Sequence, residues 1–385
     1  MKKAKQLGAL ALAGIFVVSA AVPVSAQETA QTAYRVEYSQ VEQLVLQNNL
    51  QVNSNDRLIK SMDDEKELKE KYAKLSDTLS QASTGMNAII NNPMATPDLK
   101  AVAQGTNASL SSLNAILNMQ QDVSEDDFEL VELQAELSDY QLVKTAQNMF
   151  SVYYQLQYNI EKLTNTRVVL ENQVKTAQAR LDVKQATPVA VADAKAAVAE
   201  LDYNLNALRS QSKSVAYQMN QLLGHAYSDQ ITFGAMPAPD TAYAAKLSLA
   251  ADIPAAQDAS YKVKISQKQR AIIDDDTSEN RDKRRIKSND AEMERQSIGA
   301  SLEKQYDTIL KQQDVLKTEQ QKLDTAKLKQ DQAQKKYALG LMSGVDYTKT
   351  RNDYLAQKSV TQGASSALFW EIESYRWMVR GLPAS

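Results

Sequence analysis

One histidine, His225, and no cysteine are all this sequence offers for nucleophilic or soft-metal chemistry. Without cysteine there are no thiol nucleophiles, disulfides or Cys-based zinc sites. A lone histidine has no second imidazole for a metal cluster, and His225 follows Gly224 in a linker, which reads as a surface role. Aspartate and glutamate are abundant, but they fall on the solvated faces of helical heptads, where charges belong. No Gly-rich phosphate loop, metal-spaced cluster or nucleophile elbow is present. We therefore read no catalytic site, no metal and no cofactor, and expect no enzyme. The informative residues lie in KKYALGLMSGVDYTKTRNDYLAQKS, 335–359. Gly340 suits the left-handed residue that ends a helix, and Ser343, beside Gly344, suits the cap of the next one, with Asp346 just inside it. Tyr337 stands on the incoming side. This is the tip of a helical hairpin, either a turn alone, since turns select Gly, Ser and Asp for backbone reasons, or also a docking surface.

The elements that carry such a tip must be long helices. Only 11 Gly and 8 Pro occur among 385 residues, and Phe and Trp number 5 and 2, a composition for thin helix–helix seams more than for a large compact core. From Ser124 to Gln185 there is neither Gly nor Pro, enough helix for roughly 90 Å. Leu142, Met149, Leu156, Leu163, Leu170 and Ala177 recur at sevens, with Ala146, Tyr153, Ile160, Val174 and Leu181 four residues on and Arg167 as the polar exception. Sustained 4–3 spacing is a coiled-coil seam. Thr187-Pro188 ends it as cap and first helical residue, and a return helix with Leu201, Leu208, Val215 and Leu222 runs to Gly224. A second heptad helix carries Leu302, Ile309, Leu316, Leu323 and Tyr337 to the Gly340 tip, and a last one carries Tyr347, Tyr354, Leu368 and Tyr375.

The expected class is all-α: long antiparallel helical hairpins with coiled-coil heptads, in two tandem repeats. Thr187-Pro188-Val189 aligns with Ser343-Gly344-Val345 at an offset of 156, and Gly224 answers Gly381 with one residue more. Residues 1–26 read as a signal peptide, with Lys2, Lys3 and Lys5 before an apolar run and Val24-Ser25-Ala26 at the cleavage site. Removing them takes three lysines and no acid, so the formal charge of −3 becomes −6, not the balance of a nucleic-acid binder. Residues 27–38 are expected to be loose, 39–224 to form repeat 1, 225–245 a linker with a strand-like Ile231–Phe233, and 246–385 repeat 2. Ser39 and Glu42 read as a capping box for the first helix. Residues 80–123 read as broken helix, with Gly85, Pro93, Pro97 and Gly105 as interruptions and Thr96 or Asp98 starting a piece. The run DDDTSENRDKRRIKSND, 274–290, reads as a charged break. Its cluster Arg281, Lys283, Arg284, Arg285 and Lys287 is either a solvated loop with compensating charges or a contact for an anionic envelope surface.

On these residues the layout resembles the outer-membrane efflux protein (TolC-like) family: the duplicated tip, the opening SQVEQLVLQNNLQV and the repeat end MNQLLGH. The resemblance implies a passive helical conduit of an efflux or secretion assembly, trimeric, in the outer membrane and periplasm. It further implies that the tips, here Tyr337, Gly340, Ser343, Gly344, Asp346, Thr187 and Pro188, dock on a periplasmic-adaptor-type protein that joins them to a membrane transporter. Lys184 stands where the first tip would have its glycine, and Ala190 replaces the aspartate. The family places two barrel strands in each repeat, and no transmembrane β-barrel strands are evident in 80–123 or 274–290. That leaves a place on the cell-wall side of a single membrane open, and with it an alternative role as a coiled-coil spacer in the cell envelope.

Overall fold

A computed structural model of the chain describes residues 33–61, 65–92, 96–117, 125–273 and 277–382. The segment read as a signal peptide lies outside the described residues, as do Pro93 and Asp274 to Asp276. In chain order the elements are β1 (Ala33–Val36), α1 (Val41–Asn48), α2 (Leu50–Ser61), α3 (Glu65–Ile90), α4 (Pro97–Leu117), α5 (Glu125–Asp182) and α6 (Pro188–Leu222). Then follow β2 (Gln230–Phe233), α7 (Thr241–Ala244), α8 (Leu249–Ala259), α9 (Tyr261–Ile272), α10 (Ser278–Ala338) and α11 (Gly344–Val379). The fold is all-α hairpins, as expected. At 1.5 Å per residue, α5 and α10 each reach about 90 Å.

α5 packs on α6, α10 on α11, and α11 on α5, so the four long helices lie side by side in the order α6–α5–α11–α10. The apolar core sits at the end away from the tips. One cluster joins Val41 and Val45 of α1 to Leu142, Met149 and Phe150 of α5 and Met219 of α6. The other joins Ala256 of α8 to Leu302 and Ile309 of α10 and Ile372 and Tyr375 of α11. Below these the hairpins are held by seams only: Leu163, Leu170 and Ala177 are half-buried. Arg167, the polar exception, bridges the first seam. Its Nε donates to Asp202 Oδ1 at 2.6 Å and one NH group to Glu171 Oε1 at 2.6 Å.

Each repeat opens with a creased helix. α1 gives way to α2 at Asn49 (ψ 131°) and α8 to α9 at Ser260 (ψ 118°). The C-terminal glycine of the same repeat sits against each crease. A Cβ on Gly224 would lie 2.1 Å from the Asn48 carbonyl oxygen, and one on Gly381 would lie 2.2 Å from that of Ala259. Asn49 Nδ2 also donates to Leu222 O at 2.9 Å.

Several local expectations change. The stretch expected to be loose contains β1, which pairs in parallel with β2, Ala33 opposite Gln230 and Val36 opposite Phe233. Four residues carry little periodicity, and the partner is nearly two hundred residues away. The linker is likewise structured, with β2 and with α7 capped by Asp240, whose carboxylate accepts from Tyr243 N at 2.9 Å. The first cap is not Ser39–Glu42: Gln40 Oε1 accepts from Glu37 N at 3.0 Å, while Glu42 pairs with Arg380 at 2.9 Å. Residues 80–117 are not short broken pieces. α3 runs through Gly85 and α4 through Gly105, and the two form a hairpin tied by Ser83, Asn87 and Asn107 side chains. Burial of Leu79, Ala82, Met86, Ala103 and Leu110 outweighs a glycine penalty of about 1 kcal/mol each. Thr96 caps α4, accepting from Leu99 N at 3.3 Å. The charged run is helix from Ser278, started by Thr277, whose Oγ1 accepts from Asn280 N at 3.1 Å.

Candidate functional site

The two tips are one structure built twice. At the first, Lys184 N donates to Leu181 O and Gln185 N to Arg180 O, at 2.9 and 2.7 Å. At the second, Gly340 N donates to Tyr337 O and Leu341 N to Lys336 O, at 3.0 and 2.8 Å. These are paired closures of a helix end around a left-handed residue, and every partner is displaced by the same 156 residues. The left-handed residues are Lys184 (φ 61°) and Gly340 (φ 71°). The caps repeat too. Thr187 Oγ1 accepts from Ala190 N at 3.3 Å and Ser343 Oγ from Asp346 N at 3.0 Å. At the second tip Ser343 Oγ donates in turn to Asp346 Oδ2 at 2.7 Å, so the aspartate that Ala190 lacks locks the turn. Pro188 begins α6 with its fixed φ, and Gly344 begins α11.

Tyr337 and Tyr347 stack across the second tip, ring centroids 4.8 Å apart and planes within 5°. The tips stand next to each other: Arg180, Ala186 and Ala190 of the first share a groove with Val345 and Lys349 of the second. All the expected tip residues therefore come together at one end of the molecule. What the sequence reading missed is the apolar surface around them. Val183, Val189, Leu339, Leu341 and Val345 are each at least half exposed. The signal was apolar side chains inside turns that otherwise select polar ones.

The basic cluster lies at the other end, on the first turns of α10, and does not join the tips. Its residues go round the first turns of the helix rather than along one face, with most charges answered locally. Lys283 pairs with Glu279 at 2.6 Å, Lys287 with Asp290 at 3.5 Å and Arg285 with Asp282 at 3.8 Å. His225 stacks on Tyr34, centroids 3.8 Å apart, and approaches Asp229 at 3.6 Å, helping to fasten β1. Where the resemblance would put barrel strands, repeat 1 has the α3–α4 hairpin and repeat 2 passes from α9 to α10 within a few residues. Among the described residues β1 and β2 are the only strands and no barrel is formed. No described helix is long and apolar enough to cross a membrane, and no described group of side chains could hold a metal ion.

At that same end α5 carries a part-buried carboxylate, Asp139, and a buried ammonium, Lys144. Asp139 accepts from Asn55 Nδ2 at 2.5 Å. Burial pushes its carboxyl up to about 7, the nearby Asp56 and Glu136 add to the rise, and the Asn55 bond opposes it. Burial lowers the Lys144 ammonium to about 8.

No family model matches this sequence, and no curated protein matches it. Solved structures do. A membrane protein from Pseudomonas aeruginosa aligns at 10% identity over 90% of this chain and 90% of its own, with a TM-score of 0.51. CusC, described for its folding and transmembrane channel formation, aligns at 10% identity over 86% of this chain and 96% of its own, with a TM-score of 0.50. The Campylobacter jejuni CmeC outer membrane channel aligns at 11% identity over 90% and 86%, with a TM-score of 0.49. The likeness is one of fold, and it is the TolC-like fold.

Proposed function

We propose that this chain, folded as the TolC-like channels are, is an exported and non-enzymatic component of an efflux or secretion assembly, a passive helical conduit or sleeve. The observation that carries this reading is the duplicated tip: two hairpins closed by the same hydrogen bonds, set side by side, with exposed apolar residues around them. The tip residues Tyr337, Gly340, Ser343, Gly344 and Asp346, with Thr187 and Pro188, are the docking surface for a periplasmic-adaptor-type protein that couples to a membrane transporter. The energy for transport comes from that transporter. One chain lays out four long helices in an open row, so a conduit requires several copies, and a homotrimer is the assembly the resemblance implies. The row is closed when the α6 edge of one copy meets the α10 edge of the next. The protein acts in the cell envelope. Its signal peptide, residues 1–26, delivers it there.

The α3–α4 hairpin in place of barrel strands favours a second reading, a coiled-coil spacer in the envelope without transport. One experiment separates them. Asp346→Ala and Gly340→Val are introduced singly, and drug sensitivity, secretion and adaptor co-purification are measured beside helicity. Lost transport and lost adaptor with unchanged helicity support docking. Intact transport with both variants, or a wild-type protein that stays monomeric at all concentrations and retains no adaptor, overturns it in favour of the spacer.

A further inference from the structure

The tips are a basic island on an acidic chain. Residues 180–190 and 335–353 carry six Lys and Arg against three Asp and Glu, while the formal charge of the whole chain is −3. Each of the three carboxylates has a partner of its own. Asp182 accepts from Gln178 Nε2 at 2.9 Å, Asp346 from Ser343 Oγ at 2.7 Å, and Asp353 pairs with Lys349 at 2.8 Å. Among the described residues Arg180, Lys184, Lys335, Lys336 and Arg351 make no ion pair, and all five are exposed. The groove shared by the two tips has the same bias. Arg180 and Lys349 line it together with Ala186, Ala190 and Val345, and no carboxylate does. Around it Val183, Val189, Leu339 and Leu341 are each more than 60% exposed.

An exposed apolar patch rimmed by charge marks an interaction site. The partner must bring the opposite sign, because like charges across a contact suppress binding. An acidic protein and an anionic bilayer both meet that demand, and the tips favour the protein. Neither Trp nor Phe, the usual interfacial anchors, occurs in 180–190 or 335–353, and Tyr337 and Tyr347 are stacked on each other. A recess between two turns, each fixed by its own backbone hydrogen bonds, is preorganised for the side chains of a folded partner. We propose that the tips take an acidic protein surface. Its Asp and Glu side chains meet Arg180, Lys184, Lys336 and Lys349, and its apolar centre covers Leu339 and Leu341. The proposal rests on the tips being the docking surface and adds the charge of what docks there.

The test uses the full chain in its own cell envelope and two cross-linkers. A carbodiimide joins a lysine amine directly to a carboxylate, and a bis-succinimidyl ester joins two amines. The carbodiimide should couple Lys184, Lys336 or Lys349 to Asp or Glu of one second protein, mapped by mass spectrometry. The yield should fall about tenfold in Arg180→Glu combined with Arg351→Glu, with helicity unchanged, and should fall likewise at high salt. Lys287→Glu, at the far end, should leave it unchanged. A second protein joined to the tips by the ester but not by the carbodiimide would leave docking standing and overturn the acidic partner. A yield indifferent to the charge reversals, or coupling only to another copy of this chain, would do the same. No cross-link of either kind would fell docking itself, and this proposal with it. Sedimentation of the chain with phosphatidylglycerol vesicles, relieved by Leu341→Ser, would make the partner a bilayer and overturn the proposal.

Discussion

Lys184 and Gly340 hold the same left-handed backbone with different side chains, which makes the tips a controlled comparison. An L-residue pays about 1–2 kcal/mol for that conformation, part of which glycine's larger unfolded-state entropy offsets. A Cβ at Gly340 would meet nothing within 4 Å, so its substitution tests conformation alone. Lys184→Gly should stabilise the protein by on the order of 0.5–1 kcal/mol and Gly340→Ala should destabilise it by a similar amount. Urea unfolding of both variants checks the sign. A second prediction concerns Asp139. Its carboxyl titrates at about 7 when folded and near 3.9 when unfolded. The native state therefore holds the extra proton between those values, and stability falls as pH rises through that window. Stability measured at pH 4.5 and pH 7.5 should differ by a few kcal/mol in the wild type. Asp139→Asn, which keeps an acceptor for Asn55 and has no proton to lose, should flatten that difference and be the more stable protein at pH 7.5.

Among elements, the creased first helix of each repeat and its abutting glycine do what no single helix could. Gly224 and Gly381 each end a return helix with positive φ, at 73° and 93°, and each lies where a Cβ would strike a carbonyl at the crease. Gly224→Ala and Gly381→Ala should thus cost about 3 kcal/mol or more, combining backbone strain with overpacking. The loss should appear as a lowered Tm with early loss of near-ultraviolet signal. Ala at Gly363, with nothing within 4 Å of its Cβ, is the matched control. These glycines were legible in the sequence as helix ends, and the heptads gave the four long helices and both tips. The tertiary partners were not legible. That Gly224 meets Asn48, that Glu42 leaves a capping box for Arg380, and that β1 finds β2 are contacts across long separations with no local period. The α3–α4 hairpin was hidden for a different reason. Gly85 and Gly105 read as breaks, while the alternation of small and apolar residues that buries Leu79, Met86 and Leu110 is weaker than a heptad.

The whole molecule has its core at one end and its exposed apolar tips at the other, joined by seams too thin to bury their own edges. On α6 the outward row is Val189, Ala192, Ala196, Ala199 and Tyr203, all exposed and uncharged. It repeats at the 4–3 spacing that a helix partner requires. On α10 the outward row includes Leu328, 64% exposed. In the proposed assembly, where the α6 edge of one copy meets the α10 edge of the next, positions equally far from Pro188 and Ala338 would face each other in an antiparallel pair. Leu328 then comes level with Ala196 and Ala199, a large side chain over small ones. Asp193 and Glu200 on α6 come level with Lys335, Lys329 and Lys327 on α10, opposite charges across the joint. Within one chain these rows lie on opposite edges of the helix row, so the match bears on the proposed contact between copies. The absence of native cysteine makes this directly testable. Ala199→Cys combined with Leu328→Cys should form disulfides between chains on mild oxidation, since packed helices bring facing Cβ atoms to the roughly 4 Å such a bond needs. The products should run as covalent dimers and a closed trimer. Ala199→Cys with Met293→Cys, which places the second thiol some 35 residues up α10, should not cross-link. Equal cross-linking by both pairs would mean that the edges meet at random and that the row of helices does not close in this register.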